Sequence, residues 1–381
     1  MRPWGEARAI PAKLAVTRLS LTNFRSYAAG ELRTAGAAVV LAGPNGAGKT
    51  NILDAISLLA PGRGLRGAKL AEHVRKGPVA PSDARWAVAA TVKRGGADYE
   101  IGTGLVEQSM GRADKRHVRL NGVDAKGSAE LGEIVQMVWL TPAMDRLFIE
   151  SASGRRRFLD RLVLGFDTTH ARAATRYETA MRERARLLKY GPRDPAWLDG
   201  LENEMAESGQ AVAAARASAV DRLNRVLSGR DGAFPAALLA LTEEDCGDAQ
   251  TLREALAQTR IRDAESGRTH AGPHLTDLNA RHTKKRADAR DCSTGEQKAL
   301  LISIMLAFAR ELTEARDGMA PLLLLDEIAA HLDAVRRAAL FEEIADLSAQ
   351  AWMTGTDLSL FEEARAQIFE VRDGQFRETG T

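Results

Sequence analysis

Apolar and polar positions alternate from Leu14 to Leu21 with the period of a half-buried strand. Residues 37–42 form a short apolar run of buried-strand length, and strand-like runs recur over residues 86–92, 99–106 and 117–120. Asn121-Gly122, after the last of these, predicts a hairpin turn, because both residue types tolerate the positive φ of a two-residue loop. Residues 51–60 break this rhythm. There Ile52, Leu53, Ile56 and Leu59 recur at helical spacing, which predicts a helix directly after the second strand.

From about residue 143 the pattern becomes helical. Residues 155–189 are rich in Ala, Arg and Leu and almost free of Gly and Pro, which predicts one long helix. Gly191-Pro192 and Asp194-Pro195 end it. A second helix is expected over residues 197–227, then a Gly/Pro-marked loop, then a shorter helix over residues 251–262. Mixed signals return near residue 269. An apolar helix is expected over 299–312, a buried strand over 322–325, an amphipathic helix over 335–347 and an inner strand over 351–354. The layout predicts half of a nucleotide-binding domain over residues 1–142, a mainly helical insertion over 143–268, and the second half over 269–381. No internal repeat or low-complexity tract interrupts it.

The length of 381 residues suits two domains, and 45% hydrophobic with 27% charged residues is a globular composition. The apolar stretch 299–309 is well short of the roughly 18 residues a bilayer span needs, so no membrane is expected. Residues 1–11 lack the apolar core of a signal peptide. The two cysteines, Cys246 and Cys292, form no C-x-x-C, which fits a reducing cytoplasm. His270 and His274 are four apart, but Gly272-Pro273 between them argues against a helical metal pair. The net charge of +2 hides an asymmetry. Residues 151–193 carry 11 Lys/Arg against 4 Asp/Glu, and residues 194–265 carry 7 against 14. Two solvated helical faces would account for this; so would a basic strip for phosphates.

Chemistry enters with Gly43-Pro44-Asn45-Gly46-Ala47-Gly48-Lys49-Thr50, a full G-x-x-x-x-G-K-[ST] match between an expected strand and helix. The glycines let backbone N–H groups turn toward phosphate oxygens, and the helix N-terminus favours negative charge. Lys49 would reach the β- and γ-phosphates, and the Thr50 hydroxyl would bind Mg²⁺. A second element, Pro321-Leu322-Leu323-Leu324-Leu325-Asp326-Glu327, describes a buried strand ending in two acids. Asp326 would hold the metal through water and Glu327 would polarise the attacking water as general base. The third, Ser293-Thr294-Gly295-Glu296-Gln297, opens an apolar helix. It can be read as an anion site or as a capping box between Ser293 and Glu296.

Gly43–Thr50, Ser293–Gln297, Asp326-Glu327 and His331-Leu332-Asp333 follow one another as in an ABC-type ATPase head, where S-x-G-[EQ]-Q is the signature motif. The helical insertion and the leading Leu19-x-Leu21-x-Asn23-Phe24-Arg25-Ser26-Tyr27 resemble the SMC-like DNA-repair branch, and within it the RecF family. Matching pieces run nearly end to end: Gly62-Arg63-Gly64-Leu65-Arg66, Thr141-Pro142, the Ser153–Asp160 segment containing Arg155-Arg156-Arg157, and Gly272-Pro273-His274-x-x-Asp277. The last two are not general ABC features. The resemblance implies an α/β fold, an ABC-type P-loop head split by a helical insertion. It implies an ATP- and Mg²⁺-dependent homodimer in which Ser293, Gly295, Glu296 and Gln297 of one subunit meet the nucleotide of the other. It further implies a weak, DNA-stimulated ATPase used as a switch. The expected role is recombination mediation at single-strand gaps and stalled forks, with RecR and RecO helping to load RecA, in repair, replication and the SOS response. The chain departs from ABC heads at two places. The Mg²⁺-ligating glutamine has no clear counterpart, Gln136 lying near the expected strand but outside the site. Thr354 stands about where a γ-phosphate switch histidine would follow the last inner strand.

Arg63, Arg66, Arg155, Arg156 and Arg157 are the candidates for DNA phosphate contact, against the alternative that they pair with acids or cap helices. Two other functions share some of these motifs. A transporter ATPase subunit would need a permease and no insertion of this kind. A non-hydrolytic DNA-binding scaffold would not need the Asp326-Glu327 pair.

Overall fold

The computed structural model describes residues 12–75, 85–106, 115–191, 194–230, 232–242, 248–372 and 374–379. In chain order these form β1 (Leu14–Phe24), β2 (Tyr27–Arg33), β3 (Ala38–Ala42), α1 (Lys49–Ser57), β4 (Ala87–Arg94), β5 (Ala97–Val106), β6 (Lys115–Leu120), β7 (Val123–Asp124), α2 (Leu131–Ile134) and β8 (Met137–Leu140). Next come α3 (Ala152–Phe166), α4 (His170–Tyr190), α5 (Pro195–Ser228), β9 (Ala237–Leu241), α6 (Ala249–Gln258), α7 (Arg260–Ser266), β10 (Leu278–His282), β11 (Ala287–Asp288) and α8 (Thr294–Glu314). The chain closes with β12 (Leu322–Leu325), α9 (Ala334–Asp346), β13 (Ala351–Gly355), β14 (Ala366–Arg372) and β15 (Gln375–Glu378).

Two compact units emerge. The first is Met1–Asp145, Asp231–Phe234 and Leu301–Thr381. It holds two six-stranded sheets. One is antiparallel, in the order β2-β1-β4-β5-β6-β7. The other runs β15-β14-β3-β13-β12-β8 and is parallel except for the β14–β15 hairpin. Leu322–Leu325 in β12 are buried throughout, as a strand covered on both faces must be. Leu19 and Leu21 of β1, Val39 and Leu41 of β3, Ile52, Leu53 and Ile56 of α1, and Trp352 of β13 share one apolar core. Gln350, fully buried, joins the sheets: its Oε1 accepts from Val16 N and its Nε2 donates to Val16 O. The parallel order places the C-terminal ends of β3, β12 and β13 at one edge, where α/β folds bind ligands.

The second unit is Arg146–Arg230 and Pro235–Leu300. Helices α3 to α7 accompany the three-stranded sheet β11-β10-β9, α5 packing on β9 and α3 on β10, with Tyr177, Met205, Leu252 and Leu256 in an apolar cluster between helices. Its interior is also charged. Buried Arg184 donates to Glu202, Asp263 and the Leu256 carbonyl, and Arg260 adds a second cation on Glu202. Such a network demands full pairing, because a buried charge left alone costs several kcal/mol.

The structure differs from the sequence reading in several places, the strands β2, β9, β14 and β15 among them. The long helix expected over 155–189 is two helices. Asp167 lies in extended backbone between them, and its Oδ1 accepts from the N–H and hydroxyl of Thr169, a local turn that competes with helix. The shorter helix breaks at Thr259 into α6 and α7. The division between units falls at Leu300/Leu301 rather than at residue 269. The segment before it belongs to the second unit because β10 pairs with β9 and Asp277 pairs with Arg155. Cys246 lies outside the described residues, and Cys292 is a free thiol.

Candidate functional site

The loop from Gly43 to Gly48 joins β3 to α1 and turns through positive φ at Gly43, Gly46 and Gly48, so successive N–H groups can face an anion. Two of these glycines have no room for a side chain. A Cβ on Gly43 would lie 2.1 Å from the Val371 carbonyl oxygen. One on Gly48 would lie 2.7 Å from Ser26 Oγ and 2.8 Å from Tyr27 Oη, in backbone that already has φ 107°. Lys49 curls back over the loop and donates to the carbonyls of Gly43 (2.6 Å) and Pro44 (2.9 Å). Burial pushes its ammonium below the ordinary value, while the Glu327 and Asp326 carboxylates oppose that shift. A buried cation facing two acids suits a polyanion arriving with its metal.

Across the same edge, the Thr50 hydroxyl bonds the Asp326 carboxylate at 2.9 and 3.1 Å. Thr354, fully buried at the end of β13, donates to Asp326 Oδ1 at 2.8 Å and accepts from Glu327 N at 2.9 Å. Glu327 needs that anchor, since its φ of 52° is costly for a residue with a side chain. Thr50 and Asp326 offer hard oxygen donors side by side, the set that Mg²⁺ takes when phosphate oxygens and water complete its shell. Gln136 lies at the opposite end of the sheet: it precedes β8, and its carbonyl accepts from Leu322 N. The backbone next to Asp326 is that of Leu140, followed by Thr141-Pro142.

Sequence reasoning gave no role to the buttress behind the loop. Tyr27 Oη donates to the Gly48 carbonyl at 3.1 Å and Asn51 Nδ2 to Ser26 Oγ at 2.9 Å. Asp54, fully buried one turn after Thr50, accepts from Arg25 and faces His73 at 3.5 Å. Burial raises the Asp54 carboxyl, but the His73 and Arg25 partners outweigh it and hold it below the ordinary value. The only signal was the string Asn23-Phe24-Arg25-Ser26-Tyr27, legible as a family feature without a mechanism.

In the second unit, Ser293 N donates to Glu296 Oε2 at 3.0 Å, which is the capping-box bond. Lys285 also pairs with Glu296, and these two partners pull its carboxyl down to about 2. Gln297 Nε2 donates to the Cys292 carbonyl at 2.8 Å, and among the described residues its buried Oε1 has no partner. In the first unit, Asp333 caps α9 through Arg336 N.

The RecF/RecN/SMC N-terminal domain model matches residues 15–377. A DNA replication and repair protein RecF from Mesorhizobium japonicum is 48% identical over 96% of this chain and 98% of its own length. The protein of the same description from Agrobacterium fabrum is 48% identical over 95% and 98%. The chain belongs to the RecF family. Its fold is similar to that of a solved structure of the recombination mediator protein RecF with ATP (TM-score 0.81, 22% identity, 99% of this chain and 100% of that one). It is also similar to the Smc head domain of Pyrococcus furiosus (TM-score 0.53, 18% identity, 96% of both chains).

The five arginines singled out as DNA contacts do not share one environment. Arg63, Arg66 and Arg157 are exposed. The RecF-like boxes around Arg155 and Asp277 instead meet each other. Arg155 makes a two-pronged pair with Asp277 (2.8 and 2.7 Å) and donates to the carbonyls of Leu147, Phe148 and Glu150. Arg156 is half-buried and donates to the Thr276 carbonyl. The Arg155 guanidinium is thus taken up inside the second unit, and Arg156 keeps only part of its side chain open. His270 and His274 take separate partners, Asp263 for the first and Tyr177 with the Thr269 carbonyl for the second.

Proposed function

We propose that this protein is an ATP-dependent, DNA-binding recombination mediator that acts in DNA replication and repair. The observation that carries the reading is the meeting of Thr50, Asp326 and Thr354 beside Lys49 at one sheet edge, in a chain related to RecF proteins over nearly its whole length. Gly43–Thr50 bind the phosphates of ATP, Thr50 and Asp326 hold Mg²⁺, and Glu327 orients the attacking water. Hydrolysis is weak and DNA-stimulated, a switch more than a motor. In the ATP state two copies pair, the Ser293–Gln297 segment of each closing on the γ-phosphate held by the other. The DNA is gapped or junctional, engaged in the cytoplasm with RecR and RecO to assist RecA loading, in gap repair, replication restart and the SOS response. Arg63, Arg66 and Arg157 remain proposed phosphate contacts.

DNA affinity with and without ATP, on gapped, single-stranded and duplex DNA, tests this reading together with Glu327→Gln. The expected result is ATP-dependent binding, and a variant that keeps ATP and the bound DNA while turnover stops. Equal DNA binding with ATP and ADP, or parental turnover in the variant, overturns it.

A further inference from the structure

The basic excess of residues 151–193 is resolved by the structure into spent and unspent charge. Arg155 is spent on Asp277, and fully buried Arg184 on Glu202 and Asp263. Arg176 is taken up by Glu204. What remains on α4 is a row of Arg172, Thr175, Thr179, Arg182, Arg186 and Lys189, all exposed and three or four residues apart. It faces away from buried Tyr177, Ala180, Arg184, Leu187 and Leu188. At 1.5 Å per residue the row is about 25 Å long. Among the described residues no acid pairs with Arg172, Arg182, Arg186 or Lys189. Arg182 donates only within its own helix, to the Glu178 carbonyl and Thr179 Oγ1. Glu178 and Glu183 fall to either side of the row rather than within it.

A helix that needs only solubility gains from acid–base pairs at i,i+4. Arg182, Arg186 and Lys189 set like charges at i,i+4 and i,i+3, which destabilises an isolated helix, and although Glu178 stands four residues before Arg182, Arg182 bonds its carbonyl and not its carboxylate. A polyanion laid along the row reverses the sign of that cost. At the row's end Tyr190 is 76% exposed, with Lys189 Nζ 5.0 Å from its ring centre, and Trp197, early in α5, is 55% exposed. Large open aromatic rings are platforms for unpaired bases, and at Tyr190 a cation lies beside the ring.

We propose that the outer face of α4 is a nucleic-acid track, with the phosphates of one DNA strand along Arg172 to Lys189 and unpaired bases at its end stacked on Tyr190 and Trp197. The track deepens the DNA-binding reading above and rests on it. Thr179 supplies a hydroxyl donor to a phosphate oxygen between the cations, while the Thr175 hydroxyl stays on the Ala171 carbonyl.

The test compares the parent with Arg182→Gln/Arg186→Gln/Lys189→Gln, Tyr190→Ala, Trp197→Ala and the control Arg176→Gln. The probes are a blunt duplex and a duplex with a single-stranded tail carrying a fluorescent base, with ATP, from low to moderate salt. In the triple variant the slope of log affinity against log salt should flatten by about 2 to 3 units, roughly 0.7–0.9 per lost contact. The control should keep the parental slope. Each aromatic variant should lose about tenfold or more in affinity for the tailed DNA only, with quenching of the fluorescent base reduced and the slope unchanged. A parental slope in the triple variant, or aromatic losses equal on blunt and tailed DNA, overturns the track alone. A parent that binds none of these DNAs overturns the functional reading and the track with it.

Discussion

Thr354→Val removes one oxygen from the site and almost no volume. The Thr354 hydroxyl is buried, donates to Asp326 at 2.8 Å and accepts from Glu327 N at 2.9 Å. Losing the donor to a carboxylate costs about 1.5–3 kcal/mol, and a part-buried Glu327 N–H left unpaired costs about 1 more. Asp326 keeps Thr50 as a partner, so the sum stays near 2–4 kcal/mol. For a unit of this size that lowers Tm by roughly 4–16 °C. The kinetic effect should be larger than the thermal one. Glu327 sits at φ 52° and, among the described residues, the Thr354 hydroxyl holds its N–H, so its carboxylate should drift from the water it orients. Turnover should fall about tenfold to a hundredfold, as small misplacements of a reacting group do. ATP affinity should change little, because the phosphate loop and Lys49 are untouched. Thr354→Ser restores the hydroxyl and should restore most of both losses. Thermal melting, ATP binding and phosphate release on the three proteins give the answer. A valine variant that melts and turns over like the parent refutes the anchoring role.

Lys49→Ala should abolish tight ATP binding measured by titration calorimetry, while Lys49→Arg keeps much of the binding and loses turnover, because a planar fork cannot sit where an ammonium meets two carbonyls. Ser293→Arg should leave ATP binding by the single chain intact and block ATP-dependent pairing; sedimentation with ATP and with ADP checks it, and an ATP dimer in the variant contradicts the arrangement. Burial pushes the Asp160 carboxyl up, but bonds from His170 (2.9 Å) and Arg216 (2.7 and 2.9 Å) prevail and hold it below the ordinary value. Its contribution to stability is therefore complete above the unfolded value of about 3.9 and is lost as pH falls from there through the folded one, so denaturant melts of Asp160→Asn should show a shallower loss below about pH 4 than the parent.

Much of the order of elements in the first unit was legible because its signals are local, although β2, β14 and β15 were not read. The strand periods at β1 and β3 to β6, the Asn121-Gly122 turn and the phosphate loop each depend on neighbours a few residues away. Helix ends were less legible where a side chain competes with the backbone. Asp167 splits the long helix by bonding Thr169, a choice that composition does not reveal. Strand β9 was missed because Ala237–Leu241 is apolar throughout although the fold buries alternate residues, and β11 has only two residues.

The sequence by itself determined which residues could do phosphate chemistry, since Gly43–Thr50 and the Leu322–Glu327 run are continuous in the chain. Only the tertiary structure decided which charges are free to act. Charge counts treat all arginines alike, but burial and pairing do not. Arg155 and Arg184 are consumed by acids 122 and 79 residues away, and Arg182 and Arg186 stay open on the same stretch of chain. The same holds at the nucleotide edge. Thr50 meets Asp326 across 276 residues and Thr354 meets it across 28, because parallel strands bring their C-terminal ends together, and no local pattern encodes that register.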